Sequence, residues 1–234
     1  MLEIRPNFFI VGAPKCGTTS LDEYLRQHPN VFISRPKEPH YFSTDLNNRV
    51  IKSFEEYISL YKSVDPDKHI AIGEASASYL FSKNALINIK KFNPKAKIIV
   101  MLRKQIDLLP SYHSQMIAAG QENILDFETA WNAEKQRIKG KKIPFACKEK
   151  KVLEYSKWGL FSDQIKRLFS LFSKDQIKII MFDEFKNNPK KVFGEIIHFL
   201  NLKNFENITF DRHNENKTVR NIIFQQVLIF FPPN

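Results

Sequence analysis

The sequence predicts an α/β fold: three layers, with a central parallel sheet of about five strands flanked by helices. Three observations predict it. Short continuous apolar runs, Asn7–Gly12 (NFFIVG) and Lys97–Leu102 (KIIVML) above all, have the hydrophobicity of strands buried on both faces. Segments with helical spacing alternate with those runs. A glycine-bearing turn, Gly12–Thr19, joins the first run to the first helical segment.

The elements follow in order. Asn7–Gly12 is the first strand, and Thr18–His28 a helix with Leu21, Tyr24 and Leu25 on one face. Val31–Ile33 is a short strand, and Ser34–Ser43 a loop punctuated by Pro36 and Pro39. Ser53 with Glu56 three residues later forms a capping box that opens a helix over Ser53–Tyr61. Ile70–Gly73 is a strand, Asn84–Phe92 a helix and Lys97–Leu102 a strand. Leu108–Ala119, Phe127–Lys139 and Ser162–Leu171 have helical patterns. Gln176–Phe182 (QIKIIMF) is a strand, and Asn188–Leu200 a helix with Pro189 in its first turn. Ile222–Phe231 reads as one side of a packed helix. Without repeats or linkers, residues 1–234 are expected to form one domain.

Composition bounds the function. The net charge of +11 suggests an anionic partner, and a lysine-rich solvated surface accounts for much of it. No nucleic-acid-binding signature accompanies the charge. Two distant cysteines, Cys16 and Cys147, suit a reducing compartment; with no visible leader or span-length apolar run, a cytoplasmic location is expected. The twenty-one Phe suggest a bulky core.

The most informative segment is Gly12-Ala13-Pro14-Lys15-Cys16-Gly17-Thr18-Thr19. Its glycines are spaced as in a P-loop, and Thr19 holds the Ser/Thr place, so the fold is read as P-loop-type. Such a turn aims backbone N–H groups at an anion at a helix N-terminus. The lysine that should follow the second glycine is replaced by Thr18, and Lys15 stands inside the loop instead. The phosphate cradle is kept and the cation moved. An NTPase would also need a metal-binding Asp at a strand end, for which only Asp183 is available.

PKCGTTSL, then YLRQHPNV, then KEPHYFS resemble the 5′-phosphosulfate loop and following segment of sulfotransferases that use 3′-phosphoadenosine 5′-phosphosulfate (PAPS), most closely the bacterial and heparan-sulfate-type branch. The resemblance implies that Lys15, Cys16, Gly17, Thr18 and Thr19 wrap the 5′-phosphosulfate. Lys15 would neutralise charge on the bridging oxygen, with no metal. An acceptor hydroxyl needs a base, and Lys37-Glu38-Pro39-His40-Tyr41-Phe42 is the best candidate segment. It is similar to the family's Lys-Glu-x-x-Phe-Phe stretch, which implies Glu38 as base and Lys37 near the transferred group. His40 and His113 are the alternative bases.

A second anchor follows the strand KIIVML. An Arg at a strand end can grip a phosphate bidentately, and a hydroxyl eight residues on can add a hydrogen bond. The family has Arg and Ser at this spacing for the 3′-phosphate, which implies Arg103 and Ser111. The chain departs from the pattern between them, with Lys104-Gln105 for Asn-Pro and Leu108-Leu109-Pro110 for Arg-Ala-Tyr. Looser likenesses at Gly73–Tyr79 and Gly159–Phe161 extend the resemblance over nearly the whole chain. Family members commonly continue for tens of residues past the segment resembling Asn214–Arg220, so a shortened C-terminus is expected, with Lys217 and Arg220 as its remaining cations. The expected reaction is sulfuryl transfer to a hydroxyl of a glycan or another polar acceptor. A P-loop kinase or NTPase, or a nucleotide-binding module without turnover, is the alternative.

Overall fold

The computed structural model describes residues 4–211. Ile222–Phe231 and Asn214–Arg220, with Lys217 and Arg220, lie outside the described residues. The chain divides into two compact units: residues 4–103 with 162–211, and residues 104–161.

The first unit is built on a five-stranded sheet, all parallel, in the order β2-β3-β1-β4-β5. The strands are β1 (Phe8–Gly12), β2 (Val31–Ile33), β3 (Ala71–Ala75), β4 (Lys97–Leu102) and β5 (Ile177–Met181). This bears out the predicted sheet. β1 is buried along its whole length, as its uninterrupted apolar run requires of a central strand. β2 and β3 lie to one side of it and β4 and β5 to the other. The chain order thus reverses at β1, and loops at the carboxyl ends of strands flanking such a switch are where open α/β sheets bind ligands.

The helices of this unit are α1 (Thr18–Arg26), α2 (Phe54–Ser59), α3 (Ala85–Phe92), α7 (Phe161–Leu171, in this unit from Ser162), α8 (Phe182–Asn187) and α9 (Pro189–Phe199). α1 buries Leu21, Tyr24 and Leu25, the predicted face. The Ser53 side chain caps α2 by accepting a hydrogen bond from the Glu56 N–H (3.1 Å). Several phenylalanines fill the core as expected: the ring of Phe42 packs against Phe9, Tyr57, Tyr79 and Phe92.

Boundaries differ from expectation in two informative places. β3 runs on through Glu74 and Ala75, because the buried Glu74 carboxyl finds polar partners. The last predicted strand ends one residue early, and Phe182 instead opens α8.

The second unit holds α4 (Gln105–Ala118), α5 (Phe127–Ile138) and α6 (Tyr155–Trp158). α4 begins three residues before its predicted start and carries Pro110 inside. The unit centres on a buried ion pair: the Arg137 guanidinium donates to both Glu122 oxygens (2.6 and 2.8 Å), and the Tyr155 hydroxyl adds a third bond (2.7 Å). Breaking such a buried pair from one side typically costs about 3–5 kcal/mol.

Candidate active site

The turn after β1 is shaped by its backbone. Gly12 (φ 140°) and Gly17 (φ 86°) take conformations that side chains rarely adopt, and Lys15 stands in the left-handed region as well (φ 61°). A Cβ on Gly12 would lie 2.5 Å from the Ala77 carbonyl oxygen; one on Gly17 would press the rings of Phe182 and Phe185 at 3.2 Å. Gly17 is also the N-cap of α1. Among the described residues no side chain caps this helix, and no acid stands in its first turn. Its positive end is left for an anion from elsewhere.

Two cations are brought together here. Arg103, just past β4, donates from Nη1 to the Lys15 carbonyl (3.4 Å), and its guanidinium lies 4.8 Å from the centre of the Phe182 ring. Its Nε is buried with no hydrogen-bond partner among the described residues. Burial, and then the nearby Arg103 charge, lower the Lys15 ammonium from its usual range. Cys16 is fully buried, and burial pushes its thiol up to about 12, which favours the protonated thiol at neutral pH. Thr18 is buried at the start of α1, beside Thr19.

The segment after β2 is built differently. Lys37 Nζ lies 2.8 Å from Glu38 Oε1, and His40 Nε2 lies 3.3 Å from Glu38 Oε2. Burial raises the Glu38 carboxyl, but the His40 hydrogen bond and the Lys37 charge outweigh it and hold the group at about 2. The carboxylate still shows 38% of its side-chain surface to solvent, so it is reachable. Glu38 (φ 60°) and His40 (φ 52°) both occupy the left-handed region, which bulky residues seldom enter. Tethers hold them there: the Glu38 N–H donates to the Ala75 carbonyl (3.0 Å) and the His40 N–H to Ser76 Oγ (3.2 Å).

The turn after β3 joins these two segments. The Ser76 N–H donates to the Ile10 carbonyl (3.0 Å) and the Leu80 N–H to the Val11 carbonyl (2.8 Å), which ties it to β1. Behind it Glu74 is fully buried, and burial raises its carboxyl; it accepts from the Tyr57 hydroxyl (2.6 Å) and from Ser76 Oγ (2.9 Å). Ser78 Oγ lies 2.9 Å from His40 Nδ1 and accepts from Asn48 Nδ2 (3.0 Å).

So Lys15, Cys16, Gly17, Thr18, Thr19 and Arg103 share one carboxyl-end site with a Lys37–Glu38–His40 cluster beside β3. Ser111 is placed in the second unit, buried on α4. His113 is on the same helix, and its Nε2 donates to the Ile124 carbonyl (2.8 Å), which fixes it in that unit's interior. The roles of Phe182 and Asn48 were not foreseen. Phe182 reads as the last residue of a strand, and Asn48 has no local signal, since Ser78, to which it donates, lies thirty residues on.

Comparisons with known proteins bear on the family of the chain. The family model described as "Sulfotransferase domain" matches residues 5–227. Carbohydrate sulfotransferase 15 of Mus musculus is 28% identical over 86% of this chain and 44% of its own length. The bifunctional heparan sulfate N-deacetylase/N-sulfotransferase 3 of Mus musculus is 26% identical over 89% of this chain and 24% of its own. The chain thus spans less than half the length of these curated relatives. Among solved structures, a sulfotransferase from Alicyclobacillus acidocaldarius superposes with a TM-score of 0.79 at 31% identity, covering 98% of this chain and 92% of that one.

Proposed function

The chain belongs to the sulfotransferase domain family, and on that premise we propose that it moves a sulfuryl group from PAPS to a hydroxyl of a saccharide or other polar acceptor. The observation that carries this reading is the pairing of Lys15 with Arg103. Among the described residues, two cations stand together at an uncapped helix N-terminus with no ion pair to either, and Arg103 Nε is buried without a partner. A polyanionic nucleotide supplies what such a site lacks.

The residues then take distinct roles. The N–H groups of the Gly12–Thr19 turn and the start of α1 cradle the 5′-phosphosulfate. Lys15 offsets the charge that builds on the bridging oxygen as sulfur leaves phosphate; one such preorganised charge is typically worth about 3–4 kcal/mol of barrier. Arg103 takes the 3′-phosphate, and Ser111 is a second candidate for that phosphate. Glu38 accepts the acceptor's proton. Held at about 2, its carboxylate is ionised across the neutral range but weakly basic. Lys37, drawn to the transferred group, would release Oε1 and raise that basicity. The relatives' names, which speak of carbohydrate and heparan sulfate, support a saccharide acceptor, as does the net charge of +11.

The test is transfer of labelled sulfate from PAPS to a panel of saccharides, with and without a metal chelator. Labelled saccharide formed equally in both conditions is expected. Absence of transfer to every saccharide and small alcohol tried, together with Mg²⁺-dependent ATP turnover, would replace this reading with an NTPase.

A further inference from the structure

We propose that Ser78 and Asn48 are positioning residues for the transfer step: together they fix His40 as the Nε2–H tautomer, and through it they aim the Glu38 carboxylate. The inference rests on the reading of Glu38 as the base. It is carried by the hydrogen bonds that link Asn48, Ser78, His40 and Glu38.

The chain starts at Asn48. Its Nδ2 donates to Ser78 Oγ (3.0 Å), while its Oδ1 lies 3.3 Å from Ser43 Oγ, whose single proton is nearer the His40 carbonyl (2.9 Å). Ser78 Oγ, having accepted from Asn48, has one proton left to give, and His40 Nδ1 stands 2.9 Å away. If Nδ1 accepts, a neutral imidazole carries its proton on Nε2. Nε2 faces Glu38 Oε2 at 3.3 Å, and an ionised carboxylate can only accept. The two ends of the ring thus demand the same tautomer.

The arrangement bears on Glu38 because each carboxylate oxygen has its own donor, Lys37 Nζ on Oε1 and His40 Nε2 on Oε2. His40 is itself held, with its N–H on Ser76 Oγ and its ring edge-on to Tyr79 at 6.4 Å between centroids. When Lys37 turns to the transferred group, the His40 bond is what keeps the carboxylate from rotating. With Ser78 removed, Nδ1 loses its donor, the Nδ1–H tautomer becomes accessible, and an unprotonated Nε2 would face the carboxylate and repel it.

The experiment reads the tautomer directly, by nitrogen NMR of the full chain carrying ¹⁵N-histidine, with the His40 signals assigned by their loss in His40→Asn. Wild type is expected to show a protonated Nε2 and an unprotonated Nδ1. Ser78→Ala and Asn48→Ala should shift His40 toward a mixture of tautomers, and Ser78→Thr, which keeps the hydroxyl, should restore the wild-type pattern. The turnover number should fall about tenfold in Ser78→Ala, the worth of one lost hydrogen bond, and recover in Ser78→Thr, with binding of adenosine 3′,5′-bisphosphate unchanged throughout. A wild-type His40 protonated on Nδ1, a tautomer indifferent to both alanine variants, or an unchanged turnover number in Ser78→Ala would overturn the proposal. Absence of transfer in wild type would instead overturn the functional reading, and the tautomer measurement would still decide whether Ser78 and Asn48 fix His40.

Discussion

The two halves of the candidate site are rigid for opposite reasons. The Gly12–Thr19 turn is held by backbone geometry: two glycines with positive φ, a lysine in the left-handed region, and the Ala77 carbonyl and Leu80 after β3, which leave no room for a Cβ at Gly12. The Lys37–Phe42 segment is held by side chains drawn from across the unit: Ser76, Ser78 and Asn48 around His40, and an aromatic cluster around Phe42. A backbone cradle suits a ligand that is always the same, such as a phosphate. A side-chain network suits a task in which one proton must move. The comparison also says where each half is vulnerable. The first fails when a Cβ is added, the second when a hydroxyl or amide is removed.

The sharpest division comes from Glu38→Gln. It keeps the shape of the second half and removes its basicity, so transfer should fall about 10²–10⁴-fold while adenosine 3′,5′-bisphosphate still binds. Steady-state rates alongside calorimetry check this, and transfer within a few-fold of wild type would remove Glu38 from its role. Next in size is Lys15→Ala, which removes charge from the first half only. The turnover number should fall about 10²–10³-fold, as for loss of one preorganised charge.

A smaller effect is expected from Gly17→Ala. A side chain at φ 86° costs about 1–3 kcal/mol of strain, and the new Cβ meets Phe182 and Phe185. Urea unfolding should show that loss of stability, and nucleotide binding should weaken while the His40 nitrogen signals stay unchanged. A simultaneous change at His40 would show that the two halves are one network.

The smallest effect concerns acid. Glu38 is held at about 2 in the folded chain against an ordinary 4.5, so its contribution to stability is full above pH 4.5 and is lost as pH falls toward 2. Partial exposure to solvent makes that contribution modest. Unfolding curves for wild type and Glu38→Gln, measured across that window, should converge as pH falls. Parallel curves would mean that the Lys37 and His40 contacts do not hold the carboxylate down.

The same contrast explains what could be read from the sequence. The strands were legible because burial on both faces demands apolar runs, and β1 and β4 were found to the residue at their carboxyl ends. The Gly12–Thr19 turn was legible because positive φ and close approach select glycine. Its displaced Lys15 was visible as a departure from the usual pattern. The side-chain half was legible only at Glu38 and Lys37. Asn48 and Ser78 reach His40 across gaps in the chain that no local pattern encodes. β3 was cut short at Gly73 because a carboxylate looks like the end of a buried strand; Tyr57 and Ser76 make Glu74 tolerable there. Pro110 likewise reads as a helix boundary, yet α4 starts at Gln105 and passes through it.

The turn after β1 is proposed above as a nucleotide cradle whose cation has moved to Lys15. Isothermal titration of adenosine 3′,5′-bisphosphate and of ATP, into wild type and into Lys15→Ala, tests it most directly. The bisphosphate should bind wild type, more tightly than ATP does, and bind Lys15→Ala at least about tenfold more weakly, the effect of one lost charge-assisted hydrogen bond. A wild-type chain that does not bind the bisphosphate, or a Lys15→Ala variant that binds it equally well, would contradict the account.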